Sequence, residues 1–217
     1  MYVKDNMTRN PYTVTSAKSV SEALDIMSAS KVHRLPVVDN KGKLVGLVTQ
    51  SLISSNTPNN ASSLSVFELN YLLNKLSIRD IMVKKPISIT EDALLEEAAT
   101  LMRKHDIGCL PVVDDKNMLV GIITHNDIFE AFIDLLGYNK SGIRYVVNVS
   151  EDKPGIMEGI AKVCSESKIS ISNLAVYNTE RGIEVVIITY GSKNISKKLK
   201  DAGYNVTSTI VLHQGKK

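Results

Sequence analysis

The sequence predicts a mixed α/β (α+β) protein of three units, and three observations support this fold class. The 217-residue chain is long enough for more than one hydrophobic core, and its 43% apolar and 23% charged residues are ordinary for a globular protein. Residues 5–53 align without a gap on residues 80–128, with 18 identities in 49 pairs. Residues 143–212 have the pattern of strand, helix, two strands, helix and strand. We therefore expect two tandem β-α-β-β-α units followed by a β-α-β-β-α-β unit.

The two copies of the repeat share short motifs at identical spacing. An apolar helical stripe beginning at Val20 is followed by two short apolar strands and a polar turn, and a helix opens directly after Thr49. In the first copy the motifs are Asp-x-Met at 5–7, Leu-Pro-Val-Val-Asp at 35–39, Leu-Val-Gly at 44–46 and the threonine at 49. Each of them recurs 75 residues later in the second copy. This degree of identity indicates an internal duplication.

The polar and breaker-rich stretch 54–63 predicts a loop between the copies, and an amphipathic helix follows it. We expect Phe67, Tyr71 and Leu72 of this helix to pack within the chain, with packing on a partner as the alternative. The predicted segments are 1–60 for the first copy, 61–77 for the connecting loop and helix, 78–137 for the second copy, 138–142 for a linker and 143–217 for the third unit.

Together these motifs resemble a tandem CBS-domain pair, the Bateman module, over about residues 1–137. The resemblance implies that the two units pack sheet to sheet about a pseudo-twofold axis. It also implies two clefts that bind adenosine nucleotides such as AMP, ATP or related compounds.

The motif Thr124-His125-Asn126-Asp127 opens the last helix of the second copy. A hydroxyl and a carboxylate one helical turn apart can hold the two hydroxyls of a ribose, and CBS nucleotide sites use this motif in that way. The same spacing is also a capping box, which is the alternative. The first copy has Leu52 where the second has Asp127, and leucine accepts no hydrogen bond. One competent cleft and one degenerate cleft are therefore expected.

In CBS pairs, the residues before the Leu-Pro motif of one copy face the threonine motif of the other. Arg34 could then meet a phosphate and Val32 could pack on adenine, although a solvated strand end is the alternative for His33 and Arg34. The sequence leaves open which cleft each set serves. The nucleotide-binding candidates are Thr124, Asp127, Val32, His33, Arg34, Ile107 and Cys109.

The third unit has a ferredoxin-like order of elements and resembles an ACT domain over about residues 143–212. The resemblance implies an effector site, for example for an amino acid, at a dimer interface. The candidates for this site are Asp152, Pro154, Gly155, Ile171 and Asn173. The alternatives are a tight turn at Pro154-Gly155, a satisfied strand end at Asn173 and a domain that only dimerises. A CBS pair followed by an ACT domain resembles the acetoin-utilisation (AcuB-type) regulatory proteins of bacteria.

The remaining patterns favour a regulatory role. The sequence has no phosphate loop or nucleophile elbow, and its two cysteines and four histidines show no metal-ligand spacing, so neither a catalytic nor a metal site is predicted. Few aromatic residues and a net charge of +3 argue against nucleic acid as a partner. No apolar run of membrane-spanning length and no secretory signal are visible, which predicts a cytoplasmic protein without a membrane partner.

We therefore expect a non-catalytic sensor that acts as a homodimer on an unknown protein target. The alternatives are an interaction subunit with empty clefts, a cyclic-dinucleotide receptor and an enzyme with an unrecognised site.

Overall fold

The computed structural model describes residues 1–56, 66–149, 153–180 and 182–213. It divides into two compact units, Met1–Ile128 and Phe129–Lys217. The first unit holds both copies of the repeat. The second unit holds the segment of four strands and two helices together with the last part of the helix that precedes it.

Both copies have the same order of elements, and the predicted strands and helices of the repeat are present. A short 3-10 turn (Val3–Asp5) precedes β1 (Thr8–Arg9), β2 (Val14–Thr15), α1 (Val20–Ser30), β3 (Arg34–Val38), β4 (Leu44–Thr49) and α2 (Gln50–Asn56). The loop predicted over 54–63 is wrong at its start, because α2 continues to Asn56, and 57–63 lie outside the described residues. The connecting helix α3 (Val66–Lys75) follows. The second copy comprises α4 (Ile78–Ile81), β5 (Val83–Lys84), β6 (Ile89–Thr90), α5 (Leu95–His105), β7 (Cys109–Val113), β8 (Leu119–Thr124) and α6 (His125–Leu135).

Each copy gives its first strand to the sheet of the other copy. The two sheets have the orders β2-β3-β4-β5 and β1-β8-β7-β6. The exchanged strands pair in equivalent registers, with Arg9 opposite Gly121 and Lys84 opposite Gly46. The predicted β-α-β-β-α unit corresponds to β2 through α2. The structure adds the exchanged strand before it, because a two-residue strand is too short to show a periodic sequence pattern.

The exchange explains why the Asp-x-Met and Leu-Val-Gly motifs occur together. A Cβ atom added to Gly121 would lie 2.5 Å from Sδ of Met7, and one added to Gly46 would lie 2.5 Å from Sδ of Met82. Only glycine permits so close an approach of the methionine to the strand. Each methionine therefore packs on the glycine of the opposite copy.

The aspartate of the Leu-Pro-Val-Val-Asp motif closes the turn between two strands. Asp39 Oδ1 accepts hydrogen bonds from the backbone N–H groups of Lys41 (2.8 Å) and Lys43 (2.9 Å). Asp114 accepts two equivalent bonds in the second copy. The N–H groups of Lys43 and Lys41 hold the pKa of Asp39 below its ordinary value, because they stabilise the carboxylate form.

The described side chains of helix α3 differ in how far they are buried. Leu73, and Leu76 just beyond the helix, pack against the buried cluster of the first copy. In contrast, Phe67 is 87% exposed and Tyr71 is 58% exposed. The expectation that Phe67, Tyr71 and Leu72 pack within the chain is therefore wrong, because the buried stripe runs through Leu73 and Leu76, three residues apart.

The second unit has the predicted ferredoxin-like order. Its elements are β9 (Gly142–Val149), α7 (Ile156–Glu166), β10 (Ile171–Thr179), β11 (Gly182–Thr189), α8 (Ser196–Asp201) and β12 (Asn205–Leu212). The antiparallel sheet has the order β10-β11-β9-β12. Fully buried Tyr145 lies in the core between this sheet and the two helices, where its hydroxyl accepts a hydrogen bond from the N–H of Ile195 (3.0 Å).

Candidate functional site

A cavity of about 500 Å³, which we name cleft A, lies at the N-terminal end of α6. Three segments form its walls: the residues from β1 onward, the residues at the start of β3, and the end of β8 with the first residues of α6. The lining residues are Thr8, Arg9, Asn10, Pro11, Tyr12, Val32, His33, Arg34, Ile122, Thr124, His125 and Asn126. Both copies of the repeat therefore contribute to cleft A.

A second cavity of about 560 Å³, cleft B, occupies the equivalent place in the first copy. Its lining residues are Leu47, Thr49, Ser51, Leu52, Ser55, Val83, Lys85, Pro86, Ile87, Asp106, Ile107, Gly108 and Cys109. Every residue lining cleft A except Arg9 and His125 has its counterpart, 75 positions away, in the lining of cleft B. The duplication seen in the sequence thus extends to the two cavities.

The structure resolves which candidate residues share a cleft. Val32, His33 and Arg34 line cleft A with Thr124. Ile107 and Cys109 line cleft B with Thr49 and Leu52 instead. The predicted nucleotide-binding residues therefore belong to two sites.

Thr124 and Asp127 form a capping box at the start of α6. The backbone N–H and the hydroxyl of Thr124 donate to Oδ2 of Asp127, at 2.7 and 2.8 Å. The N–H of Asp127 approaches Oγ1 of Thr124 at 3.5 Å. Asp127 is half-buried and bonded to Thr124, which lines cleft A, but Asp127 is not itself among the lining residues. Its other oxygen, Oδ1, accepts no hydrogen bond from the residues that the structure describes. The cap therefore uses one carboxylate oxygen and leaves the second available.

The equivalent helix of the first copy is capped without a carboxylate. Oγ1 of Thr49 accepts a hydrogen bond from the N–H of Leu52 (3.1 Å) and lies 3.0 Å from the hydroxyl of Ser51. Leu52 offers no acceptor at the place that Asp127 holds in the second copy. The first copy consequently has no carboxylate at the position equivalent to Asp127, although Asp106 lines cleft B.

The clefts also differ in charge. The Arg34 guanidinium donates to the carbonyl oxygen of Gly108 across the boundary between the copies. His33 Nδ1 lies 2.7 Å from Oε1 of Gln50. Their counterparts in cleft B are Cys109 and Gly108, and the positive charge of cleft B lies instead on Lys85, the counterpart of Asn10.

A third cavity of about 520 Å³ joins the two clefts. It shares His33 and Arg34 with cleft A, and its residues in common with cleft B are Thr49, Ser51, Gly108 and Cys109. Arg34 therefore lies where ligands from either cleft could converge.

The two cysteines are buried and free. Burial raises the pKa of Cys109, and the nearby Arg34 opposes this shift only in part. Burial also raises the pKa of Cys164. Both thiols are therefore neutral near pH 7 and are poor nucleophiles. Leu47, Cys109 and Ile122 form one buried cluster, in which the two sheets pack on each other.

Sequence reasoning missed the segment 8–12, whose Tyr12 and Arg9 line cleft A. Arg9 Nη1 also pairs with Glu91 Oε2 at 3.3 Å, and both side chains are largely exposed. The repeated Pro11 and Pro86 were the only local signal. The strand exchange brings this segment to Thr124, and no local pattern predicts such an exchange.

The structure describes four of the five predicted effector residues of the second unit. Pro154 and Gly155 are exposed at the start of α7. Ile171 packs on the core of the unit. Asn173 donates from Nδ2 to the carbonyl oxygen of Leu135 (2.7 Å). Asp152 lies outside the described residues.

Within the described part of the chain, no group of three or more His, Cys, Asp or Glu side chains could hold a metal ion. None of the helices described there has the length and apolar character that a membrane span requires.

Known proteins match the N-terminal three fifths of the chain. The model of the CBS domain matches residues 3–55 and 78–134. A CBS domain-containing protein of Dictyostelium discoideum is 33% identical over 140 residues, which cover 62% of this chain and 92% of that protein. The L-aspartate semialdehyde sulfurtransferase of Methanocaldococcus jannaschii is 36% identical over 130 residues, covering 60% of this chain but only 23% of the enzyme.

Solved structures show the same likeness. The CBS domain pair of protein MJ0100, in complex with 5′-methylthioadenosine and S-adenosyl-L-methionine, has a TM-score of 0.52 and 34% identity and covers 61% of this chain and 95% of that one. CBSX2 in complex with AMP has a TM-score of 0.54 and 28% identity, covering 61% and 97%. A Vibrio cholerae protein described as an acetoin utilization protein (AcuB) has a TM-score of 0.52 and 34% identity, covering 63% and 93%. The two matched repeats, their exchanged strands and their paired clefts make this chain a member of the CBS domain family.

Proposed function

We propose that this protein is a non-catalytic regulatory protein that binds an adenosine nucleotide in cleft A. The proposal rests on one observation: Thr124 and Arg34, from different copies of the repeat, line the same cavity. The hydroxyl of Thr124 is hydrogen-bonded to the carboxylate of Asp127. CBS pairs of the same fold bind AMP in one case, and 5′-methylthioadenosine and S-adenosylmethionine in another. All of these ligands contain adenosine, which supports the ligand class.

Each part of a nucleotide has a suitable partner in cleft A. Oδ1 of Asp127 can accept a hydrogen bond from a ribose hydroxyl while Oδ2 keeps the helix cap. Arg34 and the N-terminal end of α6 provide positive charge for a phosphate. Val32 and Ile122 offer apolar surface for the adenine ring. Nucleotide binding would then shift the protein between two conformations that its target distinguishes.

The test is the affinity of the full chain for AMP, measured by isothermal titration calorimetry. Replacing Asp127 by Ala should weaken binding by about 1.5–3 kcal/mol, the scale of a hydrogen bond to a charged group. That corresponds to roughly a 10- to 100-fold rise in Kd. The matched control is Leu52→Ala, the equivalent position in cleft B, which should leave the affinity unchanged.

Because the Ala variant also loses the cap of α6, Asp127→Asn should be measured beside it. Asparagine keeps the shape and one acceptor oxygen but removes the charge. AMP affinity equal to that of the unmodified chain in both variants would contradict the proposed ribose site.

Leu52 favours a second candidate function, an interaction subunit whose clefts stay empty. A thermal-shift screen with AMP, ATP, S-adenosylmethionine and a cyclic dinucleotide separates the candidates, since a ligand that binds only the folded state raises its melting temperature. If none of these ligands raises the melting temperature, the result would favour the interaction subunit.

We also propose that the second unit is an ACT domain, and that the protein is a cytoplasmic homodimer acting on a protein target. The edge strand β10 supports dimerisation: its nine residues carry no charge, and Leu174 and Val176 are 47% and 53% exposed. Long uncharged edge strands are normally covered. Light scattering should give twice the 23.8 kDa of the chain, and the mass of a single chain at micromolar concentration would contradict a dimer. We further propose that the second unit binds an amino-acid effector, and that the five segments of the chain have the limits predicted from the sequence.

A further inference from the structure

The sheet of the second unit has two faces of different character. Ile143, Tyr145 and Val147 of β9 point into the core with α7 and α8. Since side chains alternate along a strand, Arg144 and Val146 of the same strand lie on the opposite face. On that opposite face a cavity of about 300 Å³ lies between the sheet and the residues that end α6 and follow it. Its lining residues are Leu135, Leu136, Tyr138, Arg144, Asn173, Leu174, Ala175, Tyr177, Val186, Ile188, Ile210 and Leu212.

Arg144 is the charged residue of this lining. It stands on β9 directly between Ile188 of β11 and Ile210 of β12. The side chain is half-buried, and it forms no hydrogen bond or ion pair with the described residues. A guanidinium among aliphatic side chains loses part of its hydration, so an anion beside it is strongly favoured.

The wall opposite the sheet is held in place. Asn173 donates to the carbonyl oxygen of Leu135 at 2.7 Å, and its Oδ1 accepts from the hydroxyl of Ser172 at 3.0 Å. Gly137 has φ +70°, and a Cβ there would lie 2.5 Å from Oδ1 of Asn173. The amide of Asn173 therefore helps to build the wall of the cavity.

We infer that this cavity binds a small aliphatic carboxylic acid that carries no ammonium group. The carboxylate would pair with the fork of Arg144, and the hydrocarbon part would lie against Val186, Ile188 and Ile210. The volume is at the lower end of the usual range for small-molecule sites, which restricts the ligand to few atoms. This inference is independent of the nucleotide site.

The absence of a negative partner determines the ligand class. No acidic side chain lines the cavity in the part of the chain that the structure describes. The ammonium group of an amino acid would have to leave water without a compensating charge. The cavity therefore selects a simple or 2-oxo acid over the corresponding amino acid.

The experiment compares three probes of one carbon skeleton on the full chain by isothermal titration calorimetry: 4-methylpentanoate, leucine and 4-methylpentanamide. We expect 4-methylpentanoate to bind at millimolar concentration or below, and the other two to bind at least tenfold more weakly. Arg144→Gln should weaken the carboxylate at least tenfold. The matched control is Arg103→Gln on α5, which removes an exposed arginine far from the cavity in sequence and should change nothing.

A second variant keeps the test valid if Arg144→Gln fails to fold. Ala175→Leu retains the arginine but fills the cavity, and should also weaken binding of 4-methylpentanoate at least tenfold. Leucine binding as tightly as 4-methylpentanoate would overturn the ligand class. No binding of 4-methylpentanoate at 10 mM, or unchanged binding in Arg144→Gln, would overturn the site. If Ala175→Leu instead converts a homodimer into single chains, the face is a protein interface and the inference fails.

Discussion

Asp127 illustrates how one carboxylate can have two compatible roles. The sequence left a capping box and a ribose site as alternatives. The structure forms the cap with Oδ2 alone, at 2.7 and 2.8 Å from Thr124. Because a carboxylate has several acceptor positions on two oxygens, the cap does not consume its capacity. In the proposed ribose site, the cap would also hold the side chain in one orientation before a ligand binds.

Asp39 provides a prediction at the same scale. Its pKa lies below the ordinary value because two backbone N–H groups, first that of Lys43, stabilise the charged form in the folded state. The charge therefore stabilises the fold above the unfolded-state pKa of about 3.9, and this contribution is lost as the pH falls through the lowered folded-state pKa. Asp39→Asn should reduce the free energy of unfolding at pH 7, and its difference from the unmodified chain should shrink below about pH 4.

Urea unfolding across this pH range measures the effect. Asp115→Asn is the matched control, because Asp115 is an exposed turn residue beside Asp114 in the second copy. A deficit for Asp39→Asn that stays constant from pH 7 to pH 3 would exclude the charge as its cause.

The exchanged strands are the decisive feature at the scale of elements. β1 and β5 have only two residues each, too few to hold a position by their own hydrogen bonds. Their place depends on Met7 and Met82, which pack on Gly121 and Gly46 of the opposite copies. Backbone bonds reinforce the exchange, for example from Val3 N–H to the carbonyl oxygen of Ala93 and from Ile78 N–H to that of Lys18.

We therefore predict that a mutation in one copy loosens the other. Met7→Ala should lower hydrogen-exchange protection in β8 of the second copy more than in β4 of its own copy, since the buried methionine covers β8. Removing a buried methionine side chain costs about 2–5 kcal/mol. Met82→Ala is the matched control and should show the reverse pattern, with the larger loss in β4. Equal loss in both strands would contradict local anchoring.

At the scale of the whole CBS pair, the backbone is nearly symmetric and the chemistry is not. Clefts A and B have equivalent walls, but Arg34 corresponds to Cys109, and Asp127 corresponds to Leu52. The cavity that joins the clefts carries one arginine where a symmetric pair would carry two. Duplication thus produced two cavities, and substitutions left Arg34 and Asp127 without counterparts in the other copy.

This asymmetry predicts one AMP per chain. Calorimetric titration should give a stoichiometry near one, because cleft B has no counterpart of Asp127 or of Arg34. Leu52→Asp restores the first counterpart alone and should not raise the stoichiometry, since cleft B would still have Cys109 at the position equivalent to Arg34. Two equivalent sites in the unmodified chain would contradict the prediction.

The sequence by itself determined the longer helices and strands of this protein, the duplication and the resemblance to a CBS pair, but not the two-residue exchanged strands. Helical stripes, alternating strands and turn residues are local patterns, and the shift of 75 residues exposes the repeat directly. It also identified Thr124, Asp127 and Leu52, since their spacing lies within one helical turn.

Only the tertiary structure decided which residues meet. The contacts of Arg34 with Gly108, Met7 with Gly121 and Asn173 with Leu135 join positions 38 to 114 residues apart in the chain. The spacing of apolar residues along the sequence does not predict such pairs of contacting residues. They arise because β1 and β5 cross to the opposite copies and because a sheet face packs against a distant segment. The division of the candidate residues between two clefts, and the use of Asn173 as a structural support, follow from these long-range contacts.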